Sequence, residues 1–302
     1  MNKGGRRKAV GGKQKTAELS AFRLPPSAFS SSIPPKKRFG QNFLTDQRVI
    51  EHIVQEVRPL EGEPVVEIGP GQGALTSRLV ERSEHLYAIE FDRDLIPSLN
   101  EKFGAHENFT LIEGDALAVN LCEIITPAAR ALVVANLPYY ISTAILQRLI
   151  EQRACLTEMV LMLQREVVER ITAPPASSER GFLSVLVEAY CEAEMLFEVP
   201  PTAFRPVPKV WSAVVRLRVR PQTAVNVADE NLLWQIVSAG FAQRRKTIFN
   251  NLRNAPANLR SRIEQTGGAN RALESANIEA RRRAETLALE EWGRLAHALE
   301  AF

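Results

Sequence analysis

The chain has 302 residues, of which 45% are apolar and 24% charged, with three cysteines, four histidines and a net charge of +3. That length holds one large domain and a smaller one around a substantial core, and no apolar run is long enough to cross a bilayer. Cys122, Cys155 and Cys191 lie apart in sequence, as do the histidines, so neither a metal site nor a disulfide framework is expected, and a reducing, cytoplasmic setting is.

The charge is unevenly placed. Residues 1–38 hold six Lys and four Arg against Glu18 alone, a net of +9; with +3 overall, the rest carries −6. Residues 1–35 are rich in Gly, Lys, Ser and Pro and read as a disordered basic tail. Such a tail either touches a polyanion or only aids solubility. Its low acidity also suits an organellar transit peptide, but the first dozen residues lack an apolar face, so an unprocessed tail is expected.

Lys36-Lys37-Arg38 opens the folded part and leads into Gly40-Gln41-Asn42-Phe43-Leu44, a bend with two amides. Asp46 can cap a helix to about Val57, with Val49, Ile50, Ile53 and Val54 on one face. Pro64–Ile68 is a short buried strand, then comes the glycine turn Gly69-Pro70-Gly71-Gln72-Gly73, then a helix over Ala74–Val80. Strand, glycine turn and helix make the nucleoside loop of a doubly wound sheet. The next strand, His85–Glu90, ends in an acid about twenty residues on, where a ribose-binding carboxylate is expected. Gly69-x-Gly71-x-x-Ala74 also satisfies the looser nicotinamide fingerprint, so the turn alone leaves the cofactor open.

A third strand from Phe109 ends near Asp115. That acid is either a plain turn residue or an acceptor for an adenine amino group. Glu90 and Asp115 together describe a nucleoside pocket, which suits S-adenosylmethionine because it has no pyrophosphate. The fourth strand, about Ala131–Ala135, runs into Asn136-Leu137-Pro138-Tyr139-Tyr140. A buried strand has no packing reason to end in an amide, a proline and two aromatics; a clamp for a flat amine does. Ser142 or Thr143 then caps a helix through Ile150.

A strand over Glu158–Leu163, a helix over 164–171, a helix over Leu183–Ala189 and a strand over Cys191–Glu198 follow. Pro200–Ser212 is a proline-stiffened loop carrying Phe204, Arg205 and Lys209, and Ala213–Val219 is the last strand. Phe204 would serve equally as core. From about Ala228 only helices are expected: Asn231–Ala242, Lys246–Leu252 and Glu285–Glu300. Arg244-Arg245-Lys246 and Arg281-Arg282-Arg283 are basic clusters there, either solvated helix ends or phosphate contacts.

These segments together resemble the ribosomal RNA small-subunit adenine dimethyltransferases, the kasugamycin-sensitivity methyltransferases. The matching stretches are Lys37–Leu44, Glu67–Thr76, Asn136–Tyr139, Phe204–Val210, and Arg244–Thr247 with Asn250–Leu252, covering about residue 36 to the end. The loop at residues 176–182 departs from the usual pattern. The resemblance implies an α/β class of fold, a class I (Rossmann-like) methyltransferase with a seven-stranded, mostly parallel sheet, and a small C-terminal all-helical domain. It divides the chain into a tail (1–35), a methyltransferase domain (36–222) and an RNA-binding helical domain (223–302). It implies S-adenosyl-L-methionine as cofactor, held by Asn42, Leu44, Gly69, Gly71, Glu90, Asp115 and Asn136. It implies a target adenine held by Asn136, Leu137, Pro138 and Tyr139, with Phe204 as the other stacking face. Lys36, Lys37, Arg38, Arg205, Lys209, Arg244, Arg245 and Lys246 would meet the RNA. The substrate implied is two adjacent adenosines in a hairpin loop near the 3′ end of small-subunit rRNA in a pre-30S particle. A cytoplasmic monomer without metal is expected to act there.

Overall fold

The computed structural model describes residues 42–300. The basic tail and Lys36, Lys37 and Arg38 lie outside the described residues. The first part contains β1 (Phe43–Leu44), α1 (Gln47–Glu56), β2 (Val65–Ile68), α2 (Thr76–Leu79), β3 (Leu86–Glu90), α3 (Ile96–Phe103), β4 (Phe109–Glu113) and α4 (Leu121–Ile124). It continues with β5 (Ala131–Asn136), α5 (Ser142–Glu151), β6 (Leu156–Gln164), α6 (Arg165–Ile171), α7 (Phe182–Tyr190), β7 (Cys191–Val199), β8 (Phe204–Arg205) and β9 (Ser212–Val219). Five helices close the described chain: α8 (Glu230–Gly240), α9 (Ile248–Arg253), α10 (Ala257–Gln265), α11 (Ala269–Ser275) and α12 (Leu289–Glu300).

The α1 helix forms for the expected reason. The Asp46 carboxylate accepts from the Arg48 backbone N–H at 2.9 Å and satisfies a donor the first turn leaves open. Ile50, Ile53 and Val54 recur at helical spacing and are buried.

One seven-stranded sheet carries the fold, in the order β4-β3-β2-β5-β6-β9-β7. Strands β4, β3, β2, β5 and β6 run parallel, and β9 runs antiparallel to both β6 and β7. Residues Ala131–Ala135 of β5 are all buried, the continuous apolar run of a strand covered on both faces. The chain leaves β2 toward β3 on one side, and β5 pairs on the other, so the strand order reverses beside β2. A crevice opens outside the carboxyl ends there, where doubly wound sheets hold ligands.

β1 and β8 form a separate two-stranded ladder, with Phe43 opposite Arg205 and Leu44 opposite Phe204. The Thr45 N–H adds a bond to the Ala203 carbonyl at 2.8 Å. The start of the described chain is thus fastened to the loop before β9.

The main core is continuous from the sheet into the C-terminal helices. A polar latch crosses the same boundary. Tyr190 donates its hydroxyl to Glu230 at 2.7 Å and accepts from the Trp234 indole N–H at 2.9 Å. Arg153 pairs with Glu230 at 3.2 Å and lies 4.1 Å over the Tyr190 ring. Burial and then the Glu230 carboxylate push the Tyr190 phenol well above its ordinary range, so it stays a donor. The loop ahead of α7 makes a second tie: the Ala176 N–H donates to the Glu285 carbonyl at 2.8 Å, and Arg244 donates to the Ser178 carbonyl.

Several expectations need correction. The helix after the glycine turn is only four residues, because residues 71–75 are used up by turns. Neither Ser142 nor Thr143 caps α5; Ile141 does so without a side-chain bond, and the Ser142 hydroxyl donates to the Tyr139 carbonyl at 3.1 Å. Helices α3, α4, α10 and α11 were not anticipated. Cys122 and Cys155, 33 residues apart, are joined in a disulfide, since β5 and α5 carry the chain out and back to the end of α4. The sequence spacing gave no hint of this because the two sites meet only through the sheet. Among the described residues no helix is long and apolar enough to cross a membrane.

Candidate functional site

The glycine turn is a cradle built by backbone conformation. Gly69 and Gly71 have φ of +69° and +59°, a region that costs any side chain strain. A Cβ on Gly71 would also stand 3.2 Å from the Phe43 ring. The turn is tied to the next strand: the Gly71 N–H donates to one Glu90 oxygen at 3.0 Å, and the Asp92 N–H to the other at 2.8 Å. Glu90 is buried at 3% exposure. A carboxylate offers about four acceptor positions, so two remain for a ligand diol. Asp115 is exposed at the cavity mouth, with one oxygen accepting from the Leu117 N–H at 2.9 Å.

These groups line a cavity of ≈ 320 Å³. The structure brings Asn42, Leu44, Gly69, Gly71, Glu90, Asp115 and Asn136 to its wall, together with Leu137, Pro138 and Tyr139. At the far end the Asn136 amide nitrogen donates to the Asn42 carbonyl at 3.3 Å, which leaves the amide oxygen available as an acceptor. The Leu137 N–H is held by the Met162 carbonyl, and the Ile141 N–H donates to the Pro138 carbonyl at 3.2 Å. The Tyr139 hydroxyl shares a 2.7 Å bond with Ser212 on β9, which fixes the tilt of a half-buried ring. Burial pushes the Tyr139 phenol above its usual range.

The charge of the lining is one-sided. Glu67, Glu90, Asp92 and Asp115 face the cavity, and among the described residues no Lys, Arg or His does. Such a lining repels a pyrophosphate and attracts a cation. It suits a sulfonium with an amino-acid ammonium group and disfavours a dinucleotide, which removes the nicotinamide alternative that the glycine spacing left open. Glu67 was not anticipated as part of the site. Burial raises its pKa to about 7, a hydrogen bond from Thr76 at 2.7 Å opposes the rise, and neighbouring Glu90 adds to it. The signal was a carboxylate inside Val65-Val66-Glu67-Ile68, where both faces of the strand are buried.

Other expected residues lie elsewhere. Phe204 is fully buried, packs with Leu44 in a second core under β1, and does not line the cavity. Its pairing position opposite Leu44 turns it inward, so it offers a base no face in this conformation. Arg205 and Lys209 are exposed, and an Arg205 nitrogen donates to the Thr202 and Phe204 carbonyls. Arg244, Arg245 and Lys246 are exposed in the turn between α8 and α9, though Arg244 also serves the Ser178 tie. In the second basic cluster Arg282 is engaged by Glu291 at 2.5 and 2.9 Å, so its role is internal.

A sequence profile described as "Ribosomal RNA adenine dimethylase" matches residues 34–294. The chain is 42% identical over 268 residues to the ribosomal RNA small subunit methyltransferase A of Bacillus licheniformis, covering 87% of this chain and 91% of that protein. It is 40% identical over 263 residues to the same-named protein of Clostridium botulinum, covering 87% and 93%. Among solved structures it is similar to the 23S rRNA methyltransferase ErmE, at TM-score 0.63 and 28% identity, covering 86% of this chain and 100% of that one. It also shares a fold with a dimethyladenosine transferase from Plasmodium falciparum, at TM-score 0.70 and 22% identity, covering 83% and 95%.

Proposed function

Since the chain belongs to the ribosomal RNA adenine dimethylase family, we propose that it dimethylates the N6 amino groups of two adjacent adenosines in a hairpin loop near the 3′ end of small-subunit rRNA. Its cofactor is S-adenosylmethionine, which when bound supplies a methyl group on a cationic sulfur. Glu90 would hold the ribose hydroxyls, Asp115 the adenine amino group, and the glycine turn would let the backbone approach. The protein acts as a cytoplasmic monomer on a pre-30S particle, and residues 223–302 with Arg205 and Lys209 contribute the RNA contacts.

The observation that carries this reading is the Asn136 amide on the wall of an acidic cavity, its nitrogen bonded to the Asn42 carbonyl and its oxygen left to accept. That oxygen accepts one N6 hydrogen of the target adenine. The Leu137 or the Pro138 carbonyl accepts the other; the Pro138 carbonyl also receives the Ile141 N–H and keeps a second lone pair. Two acceptors draw the amine out of conjugation and aim its lone pair into the cavity. Tyr139, held by Ser212, stacks on the ring, worth about 1–3 kcal/mol per base. A loop nucleotide leaves its stack at small cost, and catalysis is mainly positioning. The methylated ammonium is acidic enough to give its proton to water, so no side-chain base is required.

The test is transfer of labelled methyl from S-adenosylmethionine to under-methylated small subunits, with the product nucleoside identified. N6,N6-dimethyladenosine in small-subunit RNA is expected. Label in large-subunit RNA, on a single adenosine, would instead support the ErmE-like alternative.

A further inference from the structure

Among the described residues eight large apolar side chains are exposed, and six of them crowd one end of the molecule. Phe91, Leu117 and Tyr140 stand in the loops leaving β3, β4 and β5. Val207, Val210 and Trp211 stand in the loop before β9, at 54%, 41% and 45% exposure. Ser212 at the start of β9 pairs with Gln164 at the end of β6, so this loop lies at the carboxyl end of the parallel strands. It therefore shares a rim with the Asn136 clamp. The connection is direct: Ser212 holds the Tyr139 hydroxyl, and the Trp211 carbonyl accepts from the Arg165 N–H at 3.0 Å.

Trp211 leaves nearly half of its surface in water, with Val207 and Val210 exposed in the same loop. Arg205 and Lys209, both exposed, stand in the same short loop. Cations interleaved with an aromatic are what a single strand of nucleic acid meets on its binding track, the cations on phosphates and the ring on a base. Extracting the target base also strips its neighbour of a stacking partner, and a nearby π-face replaces it. We propose that Trp211 stacks on the nucleotide adjoining the target adenosine, with Arg205 and Lys209 on the flanking phosphates. The inference rests on the RNA reading above and extends its substrate contact beyond the clamp.

The remaining tryptophans, Trp234 and Trp292, are fully buried, so fluorescence quenching by RNA reports on Trp211. The full-length protein is titrated with an RNA hairpin bearing two adjacent adenosines. Wild type is expected to be quenched; Trp211→Phe should bind without that quenching. Trp211→Ala should weaken binding roughly 5- to 100-fold, while its cofactor affinity by calorimetry stays at the wild-type value. An abasic site beside the target adenosine should weaken the wild type by a similar factor and Trp211→Ala no further. Undiminished hairpin affinity in Trp211→Ala, or losses that add to those of the abasic site, overturn the proposal. So does a defect seen only with assembled subunits, since the loop would then meet a protein. Quenching without any methyl transfer would instead overturn the functional reading and leave the stacking standing.

Discussion

On the proposed reading Asn136 orients the target amine and Glu90 retains the cofactor, and substitution should separate the two roles. Asn136→Ala removes the oxygen that receives the amine, so turnover is expected to fall below detection while calorimetry still shows cofactor binding. Glu90→Ala removes an acceptor from the middle of the cavity and frees the Gly71 N–H, so cofactor affinity itself should fall, by tenfold or more for roughly 1.5–3 kcal/mol. Glu67 gives a pH effect. Its folded pKa of about 7 lies above the ordinary 4.5, so the folded state keeps a proton that the unfolded state releases in that window. Stability therefore declines as pH rises from about 4.5 to 7, by an amount on the order of 3 kcal/mol. Glu67→Gln keeps an acceptor for Thr76 and carries no such slope, which pH-dependent thermal unfolding will show. That Glu90, Asp115 and Asn136 line the cavity was legible because each stands at or just beyond a strand end, where the apolar pattern stops for no packing reason. Phe204 stays open to both readings in the sequence because a loop aromatic looks the same whether it faces a ligand or the core; in the structure it stands opposite Leu44 and is buried. Glu67 escaped notice because it sits inside an apolar run.

At the scale of elements, strands were easier to read than short helices. β2 and β5 are buried on both faces and announce themselves as apolar runs, and α1 carries its own cap. α2 and α4 have four residues each and no sustained period, and α10 has only two buried positions, so tertiary packing decides them. The glycine turn is the element on which the cavity depends. Gly73 has φ of +88°, and a Cβ there would come within 2.6 Å of the Phe103 ring on α3. Gly73→Ala is expected to cost about 1–3 kcal/mol from overcrowding and strain together, measured by urea unfolding, and to lower cofactor affinity by shifting the turn. Phe103→Leu in the same background should restore part of both if the clash is the cause.

For the whole molecule the charge split matters most. With +9 on residues 1–38 and −6 on the rest, any polyanion is drawn first to one end of the chain. Removing residues 1–35 should weaken RNA binding and flatten its dependence on salt, because fewer counterions are released. Cofactor affinity should not move. An unchanged salt slope would mean that the tail takes no part. The all-helical stretch after Pro221 was readable from the change in composition, yet the Tyr190–Glu230–Trp234 latch was not, since Tyr190 lies forty or more residues from its two partners and none of the three is unusual alone.

The small β1–β8 ladder has a further consequence. One of its strands follows directly on Asn42 and contributes Leu44 to the cavity wall, and the other opens the rim loop that runs to Trp211. On the proposed reading, a ligand that steadies the wall would steady the rim through this ladder, and RNA gripping the rim would steady the wall. Linkage makes such an effect mutual: by whatever factor the cofactor sharpens affinity for RNA, RNA must sharpen affinity for the cofactor. The two partners of this protein are in that sense readers of one another, through two pairs of backbone residues.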